Sequence, residues 1–114
     1  MTETIFDSTL FLQSLAGDQE LAQELLAAFM EDSPVRSASL DEALKADDAN
    51  GASRLAHSLK GMCGVVRAEE LVKLALTMEA SAKNGELDKT REQYTTFVDL
   101  LTKAHDEMNA FITG

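Results

Sequence analysis

The sequence contains one cysteine, one proline and no tryptophan. A single cysteine excludes an internal disulfide and fits a reducing compartment. No apolar run approaches the roughly 20 residues of a membrane-spanning helix, and the N-terminus lacks the basic, apolar and small-residue pattern of a signal peptide. We therefore expect a cytoplasmic protein that does not insert into a membrane.

Positively charged residues are also scarce, with ten Lys and Arg against twenty Asp and Glu and a net charge of −10. Nucleic acids and anionic membranes are bound mainly through Lys and Arg, so this balance disfavours both as partners. The chain is instead rich in strong helix formers, which favours an all-α fold. Its 114 residues suit one domain with a modest core, so we assign residues 1–114 to a single domain.

Aspartate and glycine residues predict where the first helices begin and end. Asp7 is a good N-cap for a short helix that reaches about Ala16, and Gly17 is a typical stop after it. Asp18 is then positioned to cap the next helix. We therefore expect a short N-terminal helix followed directly by a second one.

The second helix contains the proline, and its extent has two interpretations. Ser33 and Pro34 could begin a new helix, with serine as the cap and proline in the first turn. However, apolar or small residues keep three- and four-residue spacing over residues 22–44. A break between two helices would normally interrupt this spacing at Pro34. We predict one long helix over residues 19–46, kinked near Met30, where Pro34 removes a hydrogen-bond donor.

Three further helices are predicted in the rest of the chain. The first covers residues 48–65 and is capped by Asp47-Asp48, and the second covers residues 68–83 before Asn84 and Gly85. The last begins at an Asp88 cap and reaches about residue 112. Short connections between long helices place neighbours antiparallel. The sequence therefore predicts an up-down antiparallel four-helix bundle with a short additional N-terminal helix at one end.

The helix predicted over residues 48–65 carries an exposed histidine. With 3.6 residues per turn, His57 lies opposite the apolar side of this helix, and Lys60 and Gly61 neighbour it on the next turn. Arg54 and Gly64 share the same outer face. The apolar residues on the opposite side, expected to face the core, are Leu55, Leu59, Met62 and Val66.

Two glycines on an exposed helix face require an explanation, because each costs roughly 1 kcal/mol relative to alanine. Gly61 and Gly64 could reflect sequence drift or a fraying helix end, and a lone exposed histidine is usually just solvated. The combination of His57 with a nearby cation and two glycines is more specific. It indicates a surface that another molecule approaches closely.

Residues 56–64, Ala-His-Ser-Leu-Lys-Gly-Met-Cys-Gly, resemble the signature of histidine-containing phosphotransfer (HPt) domains, which runs roughly Ala-His-x-Leu-Lys-Gly-x-x-Gly/Ala. The likeness extends from Phe6 to about Phe111. It includes the proline of the long helix and the Met-Glu and Asn-Gly-Glu-Leu segments that follow the histidine helix. It implies a phosphorelay carrier of a two-component system, which takes a phosphoryl group from a receiver-domain aspartate and passes it to another receiver.

The resemblance also implies roles for individual residues. His57 is the expected phosphoacceptor, because a neutral imidazole nitrogen is a nucleophile. Lys60 is expected to stabilise the charge of the phosphoryl group, and Arg54, Gly61 and Gly64 are expected to form the surface on which partners dock. The expected partners are response-regulator receiver domains and a hybrid histidine kinase. The carrier itself is expected to be a monomer.

The sequence shows none of the features of a nucleotide or metal site. It has no phosphate-binding glycine loop and no acidic cluster typical of a magnesium pocket. We therefore expect no cofactor, no metal and no ATP-dependent kinase activity of its own.

The chain departs from the HPt pattern at two positions. HPt domains usually have a glycine at the position of Arg67, in the turn after the histidine helix, and a small or polar residue at the position of Val65. A left-handed conformation costs a residue other than glycine on the order of 1 kcal/mol, so the departure questions the geometry of this turn. Arg67 could instead contact an acidic partner.

Other functions and other sites stay open from the sequence. The chain could be the phosphoacceptor domain of a chemotaxis-type histidine kinase, or a receiver-binding scaffold that is never phosphorylated. An intact His57 and Lys60 argue against the scaffold. His105 favours a structural or solvated role over a second phosphosite or a metal ligand, and Cys63 is expected to be a small buried hydrophobe.

Overall fold

The computed structural model describes residues 4–114, and within them every regular element is an α-helix. The helices are α1 Ser8–Ser14, α2 Gln19–Lys45, α3 Ala49–Val65, α4 Glu69–Lys83 and α5 Leu87–Thr113. The α3 helix packs against α2 and α4, and α5 closes the ring by packing against α4 and α2, while α1 lies against α2. The predicted four-helix bundle with a short additional N-terminal helix is confirmed.

Across residues 4–114, none of the helices combines the length and hydropathy needed to span a membrane.

Three helices begin at an aspartate, as predicted. The side chains of Asp7, Asp18 and Asp48 each accept a hydrogen bond from the backbone N–H three residues later, and such a cap stabilises a helix by about 1 kcal/mol. The prediction that Asp88 caps the last helix is wrong. Gly85 turns the chain in a left-handed conformation, so α5 begins earlier with Glu86 at its N-cap position, and Asp88 lies in the first turn.

The long helix α2 continues across Pro34, so the prediction of a single helix is confirmed. Its buried residues keep the same spacing before and after the proline, which shows that one packed face runs through both halves. The angle of the kink near Met30 stays a prediction. The buried residues of this face are Ala22, Leu26, Phe29, Ser33, Ser37, Leu40, Ala43 and Leu44.

The core-facing side of α3 is rotated relative to the predicted one. Leu59 and Val66 are buried as expected, but Leu55 and Met62 are only half-buried, on the side that faces α2. The reason is that small residues fill the centre of the contact between helices, which allows closer packing than leucine and methionine would. The fully buried residues of α3 are Ala52, Ala56, Leu59 and Cys63.

The turn after α3 keeps a left-handed residue although it lacks a glycine. Arg67 has a φ of 60°. The Ala68 N–H donates to the Cys63 carbonyl at 3.0 Å and the Arg67 N–H donates to the Gly64 carbonyl at 3.2 Å. This pair of bonds satisfies two of the last carbonyls of the helix and forms a Schellman motif. The left-handed residue of this motif is usually glycine and here is Arg67. The departure from the HPt pattern therefore changes the residue and leaves the turn geometry intact.

Replacing Arg67 with glycine is expected to stabilise the fold. The left-handed conformation costs arginine about 1–2 kcal/mol, and the greater freedom of glycine in the unfolded chain offsets part of the gain. We expect the free energy of unfolding, measured by urea denaturation, to rise by up to about 1 kcal/mol. Arg67→Ala, which keeps the backbone cost, should stay within about 0.5 kcal/mol of the wild type. Equal losses in both variants would show that the arginine side chain matters more than the turn.

Candidate functional site

His57 projects from the exposed side of α3, with 65% of its side chain accessible. Its Nδ1 atom lies 3.0 Å from Oε2 of Glu79, which comes from α4. Glu79 is mostly covered, with 17% of its side chain accessible, and it follows Met78, which is fully buried in the core. The packing of α4 on α3 therefore places a carboxylate against one edge of an exposed imidazole.

Lys60 binds the other oxygen of the same carboxylate. Its Nζ atom lies 3.0 Å from Oε1 of Glu79, and 28% of the Lys60 side chain is accessible. The hydrogen bond from Lys60 is the main cause of a lowered pKa for the Glu79 carboxyl, and the bond from His57 adds to it against the opposing effect of burial. Glu79 is therefore ionised at neutral pH and joins His57 to Lys60 in an arrangement that we call the Glu79 bridge.

Glu79 is the site residue that sequence reasoning missed. The Met-Glu segment was part of the resemblance, but nothing assigned a role to its glutamate. The sequence contained a signal for this contact, because α3 and α4 are antiparallel helices joined by a short turn. In such a hairpin, residues at similar distances before and after the turn lie next to each other. His57 lies ten residues before Arg67, and Glu79 lies twelve residues after it.

The two glycines of the motif are not required by packing inside the domain. Gly61 is exposed and Gly64 is half-buried. Beyond its own stretch of helix, a Cβ atom on either one would meet no heavy atom of the described residues within 4 Å. The space around both positions opens to the outside, beside His57.

Arg54 lies on the same face as His57, at the edge of a shallow, open depression between α3 and α4. Val65 is exposed farther along α3. It borders an apolar groove between α2 and α3, whose lining includes Leu25 of α2 and Met62 of α3. Arg67 is exposed at the end of the helix. The depression beside His57 is lined by Asn50, Ser53, Arg54, His57, Glu79 and Lys83.

The second histidine lies in a different environment. His105 is half-buried on α5, where its Nε2 atom lies 2.9 Å from the Ser33 hydroxyl and its ring makes an edge contact with Phe29. Burial lowers the pKa of the His105 imidazole. The structure thus places His105 among packing contacts between α2 and α5.

Cys63 is fully buried within α3, as expected for a small hydrophobe. Burial raises the pKa of its thiol to about 12, so the thiolate is not populated at neutral pH.

The family model described as "Hpt domain" matches residues 24–110, and the chain belongs to this family. Hpt domains interact with receiver domains of response regulators and with kinases. The chain is accordingly a phosphorelay carrier of two-component signalling, in agreement with the resemblance identified from the motif around His57.

Among solved structures, the chain is similar to histidine-containing phosphotransfer protein B from Pseudomonas aeruginosa PAO1. The two share 25% sequence identity and a TM-score of 0.87, over 96% of this chain and 95% of the other. A search of curated protein sequences gives no match.

Proposed function

We propose that His57 is the phosphoacceptor and that Nε2 is the attacking atom. The observation that carries this proposal is the position of an exposed imidazole whose Nδ1 faces the Glu79 carboxylate at 3.0 Å. An ionised carboxylate only accepts hydrogen bonds, so Nδ1 carries the proton and the Nε2 lone pair is available for attack.

The transfer step needs no proton movement. Nε2 attacks the phosphorus of an aspartyl phosphate on a receiver domain, an N–P bond forms, and the P–O bond to the aspartate breaks as its carboxylate leaves. The positive charge that develops on the ring is shared with Glu79 through the Nδ1–H bond. The reverse sequence passes the phosphoryl group to a second receiver.

Lys60 supplies charge compensation near the reacting group. A phosphoryl group on His57 carries about −2 charge, and Lys60 is held three residues along the same face by the other oxygen of Glu79. Glu79 acts as a positioning residue for both side chains. The domain itself, spanning residues 1–114, is proposed to act as a cytoplasmic monomer that depends on its partners for the remaining catalytic groups.

Receiver domains are proposed to dock on the face that surrounds His57. Gly61 and Gly64 leave room for close approach, since a Cβ atom at either would point into open space. Arg54 is exposed on the same face and provides a cation for an acidic partner.

The test is phosphoryl uptake from a panel of phosphorylated receiver domains. The protein should acquire phosphate that is labile in acid and stable in alkali, as expected for a phosphoramidate, and incubation with ATP alone should give none. Labelling by ATP without any partner would contradict the carrier role. Absence of uptake from every receiver, together with intact binding to some of them, would favour the scaffold instead.

Replacing Lys60 with alanine is expected to slow transfer more than it weakens binding. Its contribution grows as the phosphoryl charge moves toward His57, so it stabilises the transition state more than the docked complex. We expect the single-turnover rate from a phosphorylated receiver to fall by about tenfold, which corresponds to about 1.4 kcal/mol. Lys60→Arg, which keeps the charge, should recover part of the rate. Weaker receiver binding with an unchanged single-turnover rate would contradict this role.

A further inference from the structure

The depression beside His57 lies toward the N-terminal end of α3, whereas Lys60 lies toward the C-terminal end. Its wall on α3 carries a guanidinium, an amide and a hydroxyl, and its wall on α4 carries an ammonium one helical turn after Glu79. The residues concerned are Arg54, Asn50, Ser53 and Lys83.

The charges of the depression differ from those of the rest of the chain. The protein has a net charge of −10, yet this depression combines the exposed cations Arg54 and Lys83. Of the six described residues that line it, Glu79 is the one carboxylate, and both of its oxygens are engaged by His57 and Lys60. The remaining groups suit an anion with several acceptor oxygens.

Lys60 alone compensates poorly for an incoming phosphoryl group. It already forms an ion pair with Glu79 at 3.0 Å, so part of its charge is neutralised before transfer. A group of about −2 charge with three acceptor oxygens calls for further cations and donors close to the imidazole. Arg54 and Lys83 line the same depression as His57.

We propose that this depression holds the phosphoryl group once it is bonded to His57, with Lys83 as a second phosphoryl-binding residue. The inference rests on the proposed role of His57 and adds Lys83 and the two neutral donors, Asn50 and Ser53, to the site. Binding of the phosphoryl oxygens stabilises phosphohistidine and shifts the exchange equilibrium with a receiver toward the carrier.

The test uses protein phosphorylated chemically with phosphoramidate, so that docking of a receiver plays no part. A nearby cation favours the more highly charged form of the phosphoryl group, so the midpoint of its titration, followed by ³¹P NMR, reports on Lys83 directly. For an exposed pair, we expect Lys83→Gln to raise this midpoint by about 0.2–0.7 units. Lys83→Glu should raise it further, and salt should reduce both shifts.

The matched control is Lys73→Gln, which removes an exposed lysine of α4 that does not line the depression. It should leave the midpoint unchanged, and Arg54→Gln should move it in the same direction as Lys83→Gln. An unchanged midpoint in both Lys83→Gln and Lys83→Glu would overturn the inference, even if receiver binding weakened, because Lys83 would then contact the partner. If wild-type protein forms no phosphohistidine at His57, the proposed function fails instead.

Discussion

Replacing His57 with glutamine is expected to abolish phosphoryl uptake while leaving the fold intact. Glutamine has no nucleophilic ring nitrogen, so transfer from a phosphorylated receiver should fall below detection. The side chain is 65% accessible and its known partner, Glu79, keeps its bond to Lys60. We therefore expect helicity to be unchanged and the free energy of unfolding to stay within about 0.5 kcal/mol of the wild type.

His105→Gln is the matched control for this experiment. It removes the other histidine, which bonds to Ser33 in the contact between α2 and α5, and should lower stability without affecting uptake. The two variants together separate chemistry from packing. Uptake that survives in the His57 variant and disappears in the His105 variant would reverse the assignment.

Replacing Gly61 with glutamine is expected to impair docking of the receiver strongly, whereas alanine should be tolerated by the fold. The position is exposed and open, so Gly61→Ala should raise the free energy of unfolding by up to about 1 kcal/mol. A glutamine side chain would occupy the space that the partner needs. We expect receiver affinity, measured by titration calorimetry, and transfer rate to fall by at least about tenfold, equivalent to about 1.4 kcal/mol.

Chemical labelling provides the control for Gly61. Phosphoramidate needs no docking surface, so it should label His57 in Gly61→Gln at the wild-type rate. Gly64→Ala should have a smaller effect on stability, because that residue is half-buried in the last turn of α3. Transfer at the wild-type rate from a cognate receiver to Gly61→Gln would show that the glycine is not kept for docking.

Local signals in the sequence were sufficient to predict most of the fold. The caps at Asp7, Asp18 and Asp48 depend on bonds within three residues, and the unbroken apolar phase across Pro34 depends on one face of one helix. Asp88 was wrongly assigned as the cap because both Glu86 and Asp88 follow the turn closely enough to stand at the N-cap position of α5. The left-handed Gly85 decides between them by starting α5 earlier.

The site was predictable only where it lies on one helix. His57, Lys60 and Gly61 are related by helical geometry, so the sequence places them together without a tertiary structure. Glu79 and Lys83 enter from α4, and their positions depend on how far α3 and α4 are rotated about their axes. For α3, that rotation is set by the small residues Ala56 and Cys63, which lie in the core. The apolar pattern of the sequence instead predicted that larger side chains would occupy this position.

The Glu79 bridge has a consequence for brief encounters with partners. Fixing a mobile side chain during association costs about 0.5–1.5 kcal/mol. Because Nδ1 of His57 already bonds to Glu79, the imidazole is ordered when the chain folds. The loss of side-chain entropy therefore does not recur each time a partner binds. A carrier that must react with one receiver and then another would gain a factor of about two to ten in rate at both exchanges from this one hydrogen bond.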